Sequence, residues 1–168
     1  YLSLHTDLRP EDRFFWFTTT GWMMWNLLIG GLLLGTTVVL FDGDPVHPDT
    51  GTLWRLTEEA RITYFGTSAA YIQACIKART EPSKFDLSRV RGIGTTGAPL
   101  PPEAFQWVYD HVKPDVHLGS VSGGTDVCTA FVGSCALLPV HAGEIQCLCL
   151  GADVAAYNDE GQPLIGEV

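Results

Sequence analysis

Four short stretches of the chain combine glycine with hydroxyl side chains, a composition suited to binding phosphate. They occupy residues 18–21 (TTTG), 66–68 (GTS), 94–97 (GTTG) and 119–126 (GSVSGGTD). Glycine lets the backbone approach a ligand closely, and hydroxyls and backbone amides can bind phosphate oxygens. Thr125 offers an uncharged hydrogen-bond donor, and Asp126 is a hard oxygen ligand suited to Mg²⁺. A single such stretch is commonly just a tight turn, whereas four of them together predict a small-molecule crevice.

Each stretch adjoins a predicted β-strand, so the fold brings all four together. Apolar runs and turn signals predict strands at 13–18, 37–41, 63–66, 91–95 and 115–120. They alternate with predicted helices at 25–34, at 52–60 (capped by Thr52), at 69–78 and from Pro101 onward. This alternation predicts an α/β fold, with a mainly parallel sheet flanked by helices and a crevice beyond the carboxyl ends of the strands. Strand-like segments at 144–150 and 152–157 predict a division into an α/β subdomain (1–134) and the start of a β-rich subdomain (135–168).

Composition narrows the classes of function. The chain has 168 residues, of which 46% are hydrophobic and 17% charged, enough to bury a core and to exclude intrinsic disorder. The net charge is −9, and the ten Lys and Arg residues are scattered, so nucleic acid is not an expected partner. Five cysteines without a CxxC pair favour reduced cytosolic thiols over disulfides or zinc. If 144–150 is a strand, Cys147 and Cys149 share one face of it.

Residues 14–41 contain no charged side chain and are long enough to span a bilayer. The β-branched run ending at Gly21, the glycines at 30, 31 and 35, and the β-branched run after 36 interrupt a single helix. The pattern therefore favours a buried strand, helix and second strand. A membrane-anchoring module built on 14–41 remains the alternative.

Two familiar motifs are matched only in part. Residues 92–97 (GIGTTG) fit the dinucleotide fingerprint, but Pro99, Pro101 and Pro102 delay the helix that should open at its third glycine. Residues 119–123 (GSVSG) have Val121 where a nucleophile elbow needs serine. The five histidines occur singly, which is typical of structural or surface positions.

Three motifs together resemble the adenylate-forming acyl-CoA synthetases, most closely those that act on acetoacetate. The motifs lie at 18–26 (TTTGWMMWN), 94–99 (GTTGAP) and 118–127 (LGSVSGGTDV), and the resemblance covers essentially the whole chain. It implies part of the large N-terminal domain of these enzymes and a two-step ligase reaction. A carboxylate, here acetoacetate, attacks ATP to give an acyl-adenylate and pyrophosphate, and CoA then displaces AMP. ATP, CoA and Mg²⁺ are thus the implied co-substrates and cofactor, in a cytosolic enzyme without stable membrane insertion.

The resemblance also implies roles for individual residues. The nucleotide would contact Gly97, Ala98, Pro99, Ser122, Gly123, Gly124 and Thr125. The acyl group would lie against Trp22, Met23, Met24, Thr96 and Gly123, and the CoA path would pass Gly66, Thr67 and Ser68. Thr125 and Asp126 would be the catalytic residues, with Asp126 at the Mg²⁺ position.

This sequence departs from the common family pattern at two of these positions, where Ser122 replaces an aromatic residue and Asp126 replaces a glutamate. In acetate-activating relatives, a bulky aromatic residue fills the space at Gly123, and it is absent here. Its absence implies an acyl chain longer than acetate. The resemblance also places a phosphate-grasping loop with its lysine before residue 1, and a ribose-binding aspartate and catalytic lysine after residue 168. We therefore expect no ligase activity from this segment alone. A ligase for another short acyl chain and a non-catalytic nucleotide-binding domain remain alternatives.

Overall fold

The computed structural model describes residues 1–165, in which strands and helices alternate over the first 120 residues. The strands are β1 (Arg13–Trp16), β2 (Thr37–Val39), β3 (Tyr64–Ser68), β4 (Gly92–Thr96), β5 (His117–Ser120), β6 (Ser122–Gly124), β7 (Thr129–Gly133), β8 (Cys147–Leu148), β9 (Ala156–Tyr157) and β10 (Pro163–Leu164). The α-helices are α1 (Met23–Gly30), α2 (Thr52–Glu59), α3 (Ala69–Ala78) and α4 (Pro102–His111), and 3₁₀ turns lie at Gly31–Leu34 and Pro82–Lys84.

The central sheet has five strands in the order β2-β1-β3-β4-β5, and every neighbouring pair is parallel. The predicted α/β class with a mainly parallel sheet is confirmed. Because the strands are parallel, their carboxyl ends lie at one edge of the sheet, where the loops after β1, β3, β4 and β5 begin.

Alternation of side chains along the strands builds a separate apolar core on each face of the sheet. Phe14, Trp16 and Tyr64 form one core with Met24 and Leu28 of α1. The intervening residues form the other core, beneath α2, α3 and α4, and include Phe15, Phe65, Ile93 and Leu118. Period-two patterning with apolar residues on both faces is what a parallel sheet covered on both sides requires.

Trp16 fixes where glycines occur in two neighbouring strands. A Cβ atom added to Gly66 would lie 2.1 Å from Trp16 Cδ2, and one added to Gly94 would lie 2.7 Å from Trp16 Cη2. The buried indole therefore lies across the backbones of β3 and β4, which have no side chain at those positions. These glycines accommodate packing of the core.

A partly buried ion pair connects the loop before β1 to the residue that precedes β4. The Arg91 guanidinium donates from Nε to Asp12 Oδ1 at 2.8 Å and from Nη2 to Asp12 Oδ2. Thr63 Oγ1 donates to the same carboxylate at 2.7 Å, and the Arg9 backbone N–H donates at 2.8 Å. Asp12 is 3% exposed, so these bonds take the place of its hydration.

The structure corrects several predicted boundaries. The first helix begins at Met23 and changes to a 3₁₀ turn at Gly31, and β2 ends at Val39. The prediction that Thr52 caps α2 is wrong, because Gly51 occupies the cap position. The Thr52 hydroxyl instead donates to the carbonyls of His47 and Asp49, at 2.7 and 2.9 Å.

Antiparallel pairing begins earlier in the chain than the sequence indicated. β6, β7 and β8 form a three-stranded sheet, and β9 pairs with β10. The predicted strand at 144–150 is reduced to Cys147–Leu148, and the one at 152–157 to Ala156–Tyr157. The division of the chain at residue 134 remains a prediction, and its last three residues lie outside the described part.

The uncharged stretch 14–41 is divided among β1, α1, the 3₁₀ turn and β2. Within residues 1–165, no helix combines the length and apolar character that crossing a membrane demands. All five cysteines are unbridged in the structure.

Candidate functional site

A cavity of about 740 Å³ opens at the carboxyl edge of the parallel sheet. Its walls come from the start of α1, the loop after β4, the β5–β6 connection, β7, and the segment before β8. The lining residues are Tyr1, Trp22, Met23, Met24, Leu27, Thr96, Gly97, Ala98, Pro99, Leu100, Ser120, Val121, Ser122, Gly123, Gly124, Thr125, Thr129, Ala130, Phe131, Val132, Gly143, Glu144 and Ile145.

The first wall is the amino-terminal turn of α1. Trp22 is the cap residue in extended conformation, and the helix starts when the Trp25 N–H donates to the Trp22 carbonyl at 2.9 Å. Met24 is buried, whereas Met23 and Trp22 are half-buried and line the opening. Large, adaptable apolar side chains here suit a small organic group.

The second wall is the loop that follows β4. Thr96 Oγ1 donates to the Val121 carbonyl at 2.7 Å, which ties this loop to the one after β5. Gly97 has φ +87°, a left-handed conformation that side chains rarely adopt, and its nearest neighbour on the open side is the Trp22 ring, 3.8 Å from an added Cβ. The chain therefore turns at Gly97 and presents Ala98 and Pro99 to the cavity.

The third wall is the β6–β7 hairpin. A Cβ atom at Gly123 would lie 2.3 Å from the Thr129 carbonyl oxygen, so the hairpin closes only with glycine there. The Cys128 N–H donates to the Thr125 carbonyl at 3.1 Å, which forms the turn that exposes the Thr125 side chain. Thr125 thus reaches the cavity on the short turn between β6 and β7.

Some predicted site residues lie elsewhere. Gly66, Thr67 and Ser68 belong to β3 and do not line the cavity, and the space above Gly66 is filled by Trp16. Asp126 is exposed beside Thr125 and is also absent from the lining. Within residues 1–165, no three His, Cys, Asp or Glu side chains group closely enough to hold a metal ion by themselves. The roles predicted for all these residues remain predictions.

Three lining residues with polar side chains, Tyr1, Thr129 and Glu144, lie outside every stretch that the sequence predicted to form the site. The Tyr1 hydroxyl lies 3.3 Å from Ser134 Oγ, and burial raises the pKa of Tyr1 to about 12, so this phenol stays neutral. Glu144 follows Gly143, which has φ +84° and packs against Pro102. The turn signal at Gly143 is visible in the sequence, but its contact with α4 is not.

The cavity is nearly uncharged. No Lys or Arg of residues 1–165 lines it, and Glu144 is the one carboxylate that does. A phosphate group here would be bound by hydroxyls such as Thr125 and by backbone N–H groups of the glycine-rich turns. The apolar wall of Trp22, Met23 and Met24 offers the opposite environment across the same space.

Residues 2–168 match the protein family described as AMP-binding enzyme. The chain belongs to this family. The family resemblance inferred from the three motifs is thereby confirmed, and each of those motifs contributes residues to the cavity.

Two curated relatives of this chain carry the same name. The chain is 49% identical over 164 residues to acetoacetyl-coenzyme A synthetase of Rhizobium meliloti (strain 1021), covering 97% of this chain and 25% of the relative. It is 42% identical over 165 residues to acetoacetyl-CoA synthetase of Gallus gallus, covering 98% of this chain and 25% of the relative.

A solved structure shows the same arrangement of elements. Acetoacetyl-CoA synthetase from Streptomyces lividans superposes with a TM-score of 0.93 at 52% sequence identity, covering 99% of this chain and 26% of that one. The chain thus spans about a quarter of the length of the curated relatives it matches.

Proposed function

We propose that this AMP-binding chain is part of an enzyme that joins acetoacetate to CoA at the expense of ATP. Acetoacetate would attack the α-phosphate of ATP to give acetoacetyl-adenylate and pyrophosphate, and the CoA thiol would then displace AMP. The observation that carries the proposal is the single cavity lined by residues 22–24, 96–99 and 122–125, one group from each motif. The relatives named for this reaction, at 42–49% identity, support the same substrates.

The walls of the cavity suggest how a nucleotide and an acid would be arranged. Adenine would contact the turn at Gly97, Ala98 and Pro99, which lines the cavity. The Thr125 hydroxyl would donate to a nonbridging oxygen of the reacting phosphate, where negative charge develops in the transition state. Met23 and Met24 would close over the acyl group, with Thr96 at its polar end.

Asp126 alone offers too few ligands for Mg²⁺, so phosphate oxygens of the nucleotide and water would complete its coordination. Asp126 supplies one exposed carboxylate next to Thr125, and Mg²⁺ in nucleotide sites commonly takes one or two carboxylates together with phosphate oxygens and water. We propose that Asp126 holds the ion in this way. When bound, Mg²⁺ would neutralise phosphate charge in a cavity that no basic side chain of residues 1–165 lines.

Because no basic side chain of residues 1–165 lines the cavity, we do not expect the segment alone to be active. A triphosphate carries several negative charges, and neutral hydroxyls and amides offset them only in part. We propose that residues outside 1–168 supply the missing positive charge, and that the 168-residue segment by itself forms no acetoacetyl-adenylate. We also propose a cytosolic location, which the free thiols of residues 1–165 support.

The test is pyrophosphate release by the full-length protein with ATP, CoA and either acetoacetate, acetate or butyrate. We expect acetoacetate to give the highest kcat/KM. A higher value for butyrate or acetate would identify a ligase for another short acid, and no release with any of the three would refute acid activation altogether.

A pair of threonine variants tests the assigned phosphate contact. Thr125→Val should lower kcat about 100-fold with a small change in KM, because the lost donor acts mainly in the transition state. Thr37→Val is the matched control, since Thr37 is exposed on β2 and outside the cavity, and it should leave both constants unchanged. Equal effects of the two substitutions would show that Thr125 does not contact the reacting phosphate.

A further inference from the structure

Three cysteines lie around Gly133, at the pairing of β7 with β8. Gly133 is directly opposite Cys147, whose Sγ lies 3.7 Å from the Gly133 carbonyl oxygen. Cys149 Sγ would be 3.1 Å from a Cβ atom added to Gly133. The missing side chain at Gly133 leaves space that the Tyr1 ring and Cys149 Sγ occupy.

Cys135 is held beside this pairing by the amide side chain of Gln146. The Cys135 N–H donates to Gln146 Oε1 at 3.0 Å, and Gln146 Nε2 donates to the Cys135 carbonyl at 3.1 Å. Because β7 ends at Gly133, the chain can turn Cys135 back toward Cys147. Both side chains are half-buried, and burial, followed by the neighbouring Cys135, raises the pKa of the Cys147 thiol.

We propose that Cys135 and Cys147 are a reversible disulfide site, oxidised by a small hydroperoxide. The thiolate of one cysteine attacks the peroxide and becomes a sulfenic acid, and for hydrogen peroxide this step releases one water. The second thiol then attacks the sulfenic sulfur, which forms the S–S bond and releases a second water. In total, two thiols and one hydrogen peroxide give one disulfide and two waters, and a dithiol reductant reverses the change.

The other cysteines are less suited to this reaction. Burial, followed by the neighbouring Cys147, raises the pKa of Cys149 to about 11, and its side chain is 4% exposed. Cys75 belongs to α3 and is buried in the core beneath that helix's inner face. Cys128 is exposed in the β6–β7 turn, where it is open to peroxide but lacks the fixed placement that Gln146 gives Cys135.

Peptide mapping of the full-length protein can test the assignment directly. The reduced protein is treated with hydrogen peroxide, blocked with N-ethylmaleimide under denaturing conditions, and cleaved on the carboxyl side of glutamate. Residues 114–168 contain no Lys or Arg, but cleavage at Glu103, Glu144 and Glu160 gives separate peptides 104–144 and 145–160. We expect mass spectrometry to find these two peptides joined, and dithiothreitol to separate them.

Cysteine-to-serine variants identify the bonded atoms, with circular dichroism as the check that each variant folds. The linked peptides should disappear in Cys135→Ser and in Cys147→Ser, and persist in the controls Cys128→Ser and Cys149→Ser. Persistence of the link in Cys135→Ser or in Cys147→Ser would overturn the assignment. So would a disulfide confined to peptide 145–160, or no link at any peroxide concentration.

Discussion

Replacing Asp12 by asparagine tests whether its ion pair with Arg91 stabilises the base of the sheet. The substitution keeps the size of the side chain but leaves the Arg91 guanidinium without its counter-charge. Removing one partner of a buried pair costs about 3–5 kcal/mol. The Arg91 side chain is 35% exposed, so water screens part of the charge left behind, and we expect about 2–3 kcal/mol.

The matched control is Asp7→Asn, which removes the partner of an ion pair between exposed side chains, Asp7 and Arg9. We expect little change in stability from it, because exposed pairs are screened by water and salt. Urea unfolding followed by tryptophan fluorescence measures both variants, since Trp16 and Trp54 are buried. Equal unfolding midpoints for the two variants would contradict a stabilising role for the buried pair.

The same pair predicts a pH dependence. Burial of Asp12 acts to raise its pKa, but the hydrogen bonds from Arg91 and Thr63 and the Arg91 charge outweigh burial and lower it. The resulting stability is present above the unfolded-state pKa of about 3.9 and is lost as the pH falls through the folded-state pKa. Stability of Asp12→Asn should therefore fall less steeply in acid than that of the unsubstituted protein, and identical acid profiles would refute this explanation.

Two further substitutions test packing and a long-range contact. Gly66→Ala places a methyl group against the buried Trp16 ring and should cost about 1–3 kcal/mol or more in urea unfolding, whereas Gly21→Ala, with nothing within 4 Å, should cost little. His5→Phe removes an acceptor that lies 2.9 Å from the Leu150 amide nitrogen. Hydrogen exchange of that amide should become about tenfold faster, and unchanged exchange would show that the bond does not protect it.

The α/β architecture could be predicted because its signal is local. The apolar runs before Gly66 and Gly97 end at turn residues, and amphipathic helices separate them, so the parallel sheet follows from the order of the elements. β6 gave no such signal, because Ser122, Gly123 and Gly124 carry no apolar pattern. Their strand conformation depends on pairing with β7, which only the folded chain supplies.

The residues that line the cavity could also be predicted only in part from the sequence. Residues 22–24, 96–99 and 122–125 meet because each group adjoins the carboxyl end of the parallel sheet, a rule of topology that sequence can apply. Tyr1 and Glu144 reach the cavity through contacts that span most of the chain, such as the approach of the Tyr1 hydroxyl to Ser134. No spacing in the sequence encodes contacts of that kind.

Glycine was the most ambiguous signal, and the structure shows why. Gly66 and Gly94 lie near predicted ligand loops, yet each makes room for the indole of Trp16. Gly123 faces the backbone of β7, while Gly97 turns the chain with a positive φ. A side chain is excluded at all four positions, but for different reasons. Gly66 and Gly94 face a core ring, Gly123 faces a strand backbone, and Gly97 turns the chain beside an open cavity. A glycine-rich loop therefore indicates close approach without saying what approaches. Gly66 and Gly94 let β3 and β4 lie against Trp16, whereas Gly97 and Gly123 line the cavity itself.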